Sequence, residues 1–81
     1  MENLSLEDIE QNYISLKITA EQLLNYTSGN WFGIPISQRT DVVTNAVKHI
    51  ELMLSKEYWT DEDMTEVHAA IAVGKTYLNQ L

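Results

Sequence analysis

Apolar residues in this chain return every three or four positions in three separate stretches. A helix turn of about 3.6 residues aligns positions spaced by three and four, whereas a half-buried strand needs a period of two, so the pattern commits the chain to helices. The first stretch carries Leu6, Ile9, Tyr13, Leu16, Ala20 and Leu23 on one stripe. Ser5 precedes it with Asp8 three residues on, a variant of the capping box that starts a helix, and Gly29 stands where a left-handed residue would stop it. Thr19-Ala20-Glu21-Gln22 is itself a capping-box pattern and offers an alternative in which this helix breaks near Lys17; the continuous stripe through Leu16 and Ala20 favours a single helix.

Residues 28–36 hold two Gly and the lone Pro of the chain, and read as its one long connector. A second helix is expected from near Ser37 to about Tyr58, packing through Val43, Ala46, Val47, Ile50, Met53 and Leu54. Thr60, with Asp63 three residues on, then caps a third helix whose stripe is Met64, Val67, Ile71, Gly74, Leu78 and Leu81. Gly74 lies one turn after Ala70 on that stripe, which predicts close approach of a neighbouring helix. Three stripes sharing one core give an all-α fold, a small three-helix up-down-up bundle forming a single domain over residues 1–81. At 81 residues the core is small, and a net stability of only ~3 to 5 kcal/mol is expected.

Composition narrows the function. There is no Cys, which excludes disulfides and thiolate chemistry. Twelve acids against five bases give a formal net charge of -7, which argues against direct binding to nucleic acid or to an anionic membrane surface. The apolar run Ala69–Val73 is far shorter than the ~20 residues of a membrane span. Residues 1–20 carry acids where a signal peptide would carry Lys or Arg, so a cytoplasmic location is expected, and the glycosylation patterns at Asn3 and Asn25 read as coincidence.

The motifs for chemistry are weak. Ala69–Thr76 follows the phosphate-loop pattern loosely but falls inside a helical stretch with no strand before it. His49 and His68 lack metal-ligand spacing and read as surface or boundary residues. Asp61-Glu62-Asp63 resembles the start of a calcium loop, but Glu66 occupies the position that needs glycine. These acids are equally explained by the dipole at a helix N-terminus. No catalytic, metal or cofactor site is therefore expected, and the chain reads as a non-enzyme.

Charge placement is more informative. In an up-down-up bundle one end gathers Glu2, Glu7, Asp8, Glu10, Glu57, Asp61, Glu62, Asp63 and Glu66, with Lys56 as the base beside them. Such a pole is suited to a basic groove on another protein, a nuclease or other nucleic-acid-binding protein among them. Glu7, Asp8, Glu10, Asp61, Glu62, Asp63 and Glu66 are the candidate partner-binding residues. The aromatics of the connector are expected to fold back and plug the end of the small core; facing water instead, Trp31, Phe32 and Ile34 form a second, apolar surface. The chain thus reads as an acidic inhibitor or adaptor of the immunity, antitoxin or phage anti-defence sort. The alternative is a structural module that self-associates into a homo-oligomer through the aromatic connector and the Ala70/Gly74 face.

Ser15-Leu16-Lys17-Ile18-Thr19-Ala20-Glu21-Gln22-Leu23 resembles the Ser-Gly-Lys-Ile-Thr-Ala-x-Glu-Phe segment of immunity proteins of the colicin D type, departing at Leu16, Gln22 and Leu23. Those proteins are small, acidic and helical, and they block the basic active site of a nuclease toxin. The resemblance implies a helix-break-helix in this segment and an inhibitor role.

Overall fold

A computed structural model describes residues 5–80. The chain forms α1 (Leu6–Thr27), α2 (Ile36–Leu54) and α3 (Thr65–Asn79), and no strand occurs among the described residues. The three helices form an up-down-up bundle. Tyr13 meets Asp63, Lys17 meets Glu66 and Leu23 meets Gly74, so α1 and α3 run parallel. α2 returns between them: Arg39 near its start stacks on Trp31, and Met53 at its end bonds Trp59, which packs on Tyr13.

One core joins them. Leu16, Ala20 and Leu23 of α1, Val43, Val47 and Ile50 of α2, and Val67 and Ala70 of α3 form a single buried cluster. Each fully buried Leu, Ile or Val there contributes roughly 1.5 to 3 kcal/mol relative to exposure. Gly74 is buried on the same seam, and a Cβ built on it would lie 2.7 Å from Val47 Cγ2 and 3.0 Å from Leu23 Cδ2. The missing side chain is therefore what lets α3 approach both other helices, as the stripe predicts.

α1 is continuous, and the alternative break near Lys17 does not occur. The Thr19 hydroxyl donates to the Ser15 carbonyl at 3.0 Å, one turn back, so it serves as a mid-helix threonine and caps nothing. The break implied by the resemblance over residues 15–23 is overturned by the same observation, because Leu16, Ala20 and Leu23 anchor both halves of the segment in the core. Ser5 caps α1 as expected, its hydroxyl accepting the Asp8 N–H at 3.1 Å. At the far end Gly29 has φ 108°, its N–H reaches the Tyr26 carbonyl, and the Asn30 N–H reaches the Asn25 carbonyl, the two bonds of a Schellman stop.

The second connector departs from expectation. α2 ends at Leu54 instead of near Tyr58, because the Trp59 indole N–H takes the Met53 carbonyl at 2.7 Å and turns the chain inward. Thr60 does not cap α3, which begins five residues later at Thr65. Its N–H is held by Glu62 Oε2 at 2.7 Å, and Asp63 Oδ1 instead receives the Thr65 N–H at 3.0 Å. Residues 55–64 are thus the longer connector, and 28–35 the shorter.

The late start of α3 leaves a length mismatch. At 1.5 Å per residue, α1 spans about 33 Å and α3 about 22 Å, within a body of 39 × 22 × 20 Å. Tyr13 is level with Asp63, so the turns of α1 before it face only the connector. Leu6, placed on the core stripe by its spacing, is consequently 87% exposed. Leu81 and Glu2 lie outside the described residues.

The acidic pole and its groove

Long-range bonds assemble the acidic end. The Tyr13 hydroxyl donates to the Asp63 carbonyl at 2.8 Å, and the Asn12 amide donates to the Tyr58 hydroxyl at 3.2 Å. Trp59 packs edge-on against Tyr13 with centroids 6.2 Å apart, and Tyr58 lies 4.7 Å from Trp59. Together these fasten residues 58–63 across the first turns of α1. Glu7, Asp8 and Glu10 are thereby brought to the same end as Asp61, Glu62, Asp63 and Glu66.

Not all seven acids are equally available. Glu66 pairs with Lys17 at 3.4 Å, both side chains about a third exposed, a pair of small energetic value in water. Lys17 was not placed at this pole by sequence; it arrives because the α1/α3 register sets it one turn above Tyr13. Glu62 holds the Thr60 N–H and Asp63 holds the Thr65 N–H. Thr65 keeps the Asp63 carboxyl below its ordinary range, through its backbone N–H first and its side chain second, with Lys17 adding a smaller pull and slight burial opposing. Glu7, Asp8, Glu10 and Asp61 are exposed. Among the described residues this end carries Glu7, Asp8, Glu10, Glu57, Asp61, Glu62, Asp63 and Glu66 against Lys17 and Lys56, so it stays strongly negative.

Between the acids lies an apolar groove of about 330 Å³. It is lined by Leu6, Ile9, Tyr13 and Tyr58 together with Glu10, Thr60 and Glu62. Sequence reasoning missed Tyr13 and Tyr58 as surface residues here. The Tyr58-Trp59 pair directly before the acids was the available signal.

The opposite end is covered at its centre, with Phe32 and Ile36 left exposed beside the cover. Trp31 stacks parallel on Tyr26 at 5.5 Å, lies 5.5 Å from Tyr77, and carries the Arg39 guanidinium over its face at 4.9 Å. Arg39 also donates to the Ile34 carbonyl at 3.1 Å, and Ile34 is half-buried. Of the expected apolar surface Trp31, Phe32 and Ile34, only Phe32 stands well out, 65% exposed. Its φ of 52° is a left-handed conformation that a bulky residue seldom adopts.

The remaining motifs occupy ordinary positions. Ala69–Thr76 lies within α3, where helix bonds hold its N–H groups, and the Thr76 hydroxyl donates to the Ala72 carbonyl. His49 and His68 are exposed. No group of three or more His, Asp or Glu among the described residues is arranged to hold a metal ion, and no described helix is long and apolar enough to cross a membrane. Comparison with protein-family models, with curated proteins and with solved structures gives no match.

Proposed function

We propose that the protein is a small acidic inhibitor or adaptor whose acidic pole occupies a basic site on a partner protein. The observation that carries this reading is the convergence of two sequence-distant acidic segments, 7–10 and 61–66, on one end, fastened by the Tyr13–Asp63 and Asn12–Tyr58 bonds. Concentrated like charge costs self-repulsion and contributes little to folding, but it accelerates association with an oppositely charged site. A nuclease or another nucleic-acid-binding protein offers a groove of the required sign. The tagged protein is used to capture its partner from the native host, and the affinity of the purified pair is then followed from about 50 to about 500 mM salt. A steep loss of affinity is expected. A salt-independent affinity contradicts the reading.

A second reading, self-association, draws on Phe32. It lines a groove of about 380 Å³ with Ile18, Gln22 and Tyr26, and Ile18 is itself half exposed. Its left-handed backbone costs folding of order 1 kcal/mol, which an intermolecular contact would offset. Sedimentation equilibrium decides it: a dimer that dissociates on Phe32→Asn supports self-association, and a monomer for both proteins removes it.

A further inference from the structure

The groove at the acidic pole is more specific than a charged surface needs to be. An inhibitor that used only its summed field would require carboxylates and nothing else, yet here exposed Leu6 and the partly buried Ile9, Tyr13 and Tyr58 line a groove among them. Leu6, at 87% exposure, has lost the cover that its stripe position calls for, because α3 begins only at Thr65 and the connector crosses below it. Ile9, Tyr13 and Tyr58 line the groove with it, and so do Glu10 and Glu62. The volume is at the low end of the ~300 to 1,000 Å³ typical of small clefts, and suits a side chain or two rather than a broad face.

Resting on the reading of the pole as the partner-binding surface, we infer that this groove receives a bulky aliphatic side chain from a basic amphipathic segment of the partner, whose neighbouring Arg or Lys residues meet Glu10 and Glu62. Charge complementarity selects this occupant. A purely apolar segment would leave the Glu10 and Glu62 carboxylates facing uncharged surface and losing water without a partner. A purely basic segment would leave Leu6 and Ile9 wet. Arg satisfies both needs, since its stem packs on apolar surface while its guanidinium reaches a carboxylate.

Three synthetic peptides test this on the intact protein: one with a central Leu flanked by Arg, one with that Leu replaced by Ser, and one with the Arg residues replaced by Gln. Affinities are measured by calorimetry and contacts by amide and methyl NMR shifts. The Leu/Arg peptide is expected to bind about tenfold more tightly than the Ser/Arg peptide, with shifts centred on Leu6, Ile9, Tyr13 and Tyr58. Leu6→Ser is expected to erase that preference without lowering the melting temperature, because Leu6 has almost no folded contact to lose. Equal binding of the two Arg peptides at the pole overturns the groove inference and leaves the pole reading standing. Failure of both Arg peptides to bind overturns the two together. A Gln peptide as tight as the Leu/Arg peptide refutes the charge complementarity. Concentration-dependent shifts of the same groove signals without peptide make a second copy of the chain the occupant, and also overturn the inference.

Discussion

The two ends of this bundle are built from similar material, a tryptophan packed between tyrosines, yet at one end the rings cover the last turns of the helices, leaving Phe32 and Ile36 exposed beside them, and at the other the first turn of the longest helix stands uncovered. At the aromatic end Tyr26, Trp31 and Tyr77 stack over the last turns of α1 and α3, and Arg39 covers the outer face of Trp31. At the acidic end Tyr13, Tyr58 and Trp59 make comparable ring contacts, but the start of α1 runs past the start of α3 and leaves Leu6 uncovered. The difference comes from where helices begin, not from which residues are present. With α1 and α3 in parallel register, the shorter helix can be level with the longer one at only one end. The other end must show apolar surface unless a connector or a partner covers it.

The strongest way to break this comparison is to remove the closing residue. Trp31→Ala deletes the stacked contact with Tyr26, the contact with Tyr77 and the platform for Arg39. For a partly buried tryptophan a loss of about 2 to 3 kcal/mol is expected, a large part of the stability of so small a domain. Leu6→Ser at the open end should change the denaturant midpoint hardly at all. Similar losses for both substitutions would mean that Leu6 is packed as Trp31 is.

A change at the waist should cost somewhat less. Gly74→Leu improves helix propensity but drives side-chain atoms into Val47 and Leu23, already at 2.7 Å and 3.0 Å from the first added carbon. Val47 is β-branched and stiff, so it cannot swing aside cheaply. A net loss of ~1 to 3 kcal/mol is expected by thermal or denaturant melting. An unchanged melting temperature would put the helices farther apart than described.

Titration gives a smaller effect confined to the acidic end. Because Thr65 lowers the Asp63 carboxyl in the folded state, its contribution to stability is complete above the unfolded-state value, ordinarily about 3.9, and is lost as pH falls through the folded one. Carboxyl-carbon NMR should therefore find Asp63 titrating below the ordinary range. Replacing Thr65 with Ala removes the side-chain bond and should move Asp63 partway back.

The helices and their close crossing were largely legible from sequence and the two ends only in part, for identifiable reasons. Spacing alone gives the three stripes, and Ser5, Gly29 and Gly74 signal local geometry that the fold keeps. Thr60 and Asp63 also spell a cap, but their polar groups are drawn into the connector by Glu62, Thr65 and Tyr13, partners that a local pattern does not reveal. Once α3 starts late, Leu6 is exposed and a groove opens. Relative helix length and register decide both, and neither is written in any single motif. The gathering of acids at one pole survives this error because it depends only on the up-down-up path. The arrival of Lys17 beside Glu66 depends on register and was missed.

Neutralising charge at the pole should have the least effect on folding and the clearest effect on binding. Glu62→Gln with Glu66→Gln keeps an acceptor oxygen for the Thr60 N–H and removes only a weak exposed ion pair. Association rates with the captured partner are measured against salt for this double variant and for Glu21→Gln with Asp41→Asn, an exposed pair of equal charge away from the pole. The pole variant is expected to associate several-fold more slowly with a shallower salt slope, while the control stays close to the parent. Equal slowing by both pairs would show that total charge alone matters, and no slowing by either would place the contact elsewhere; each result contradicts the acidic pole as the binding surface.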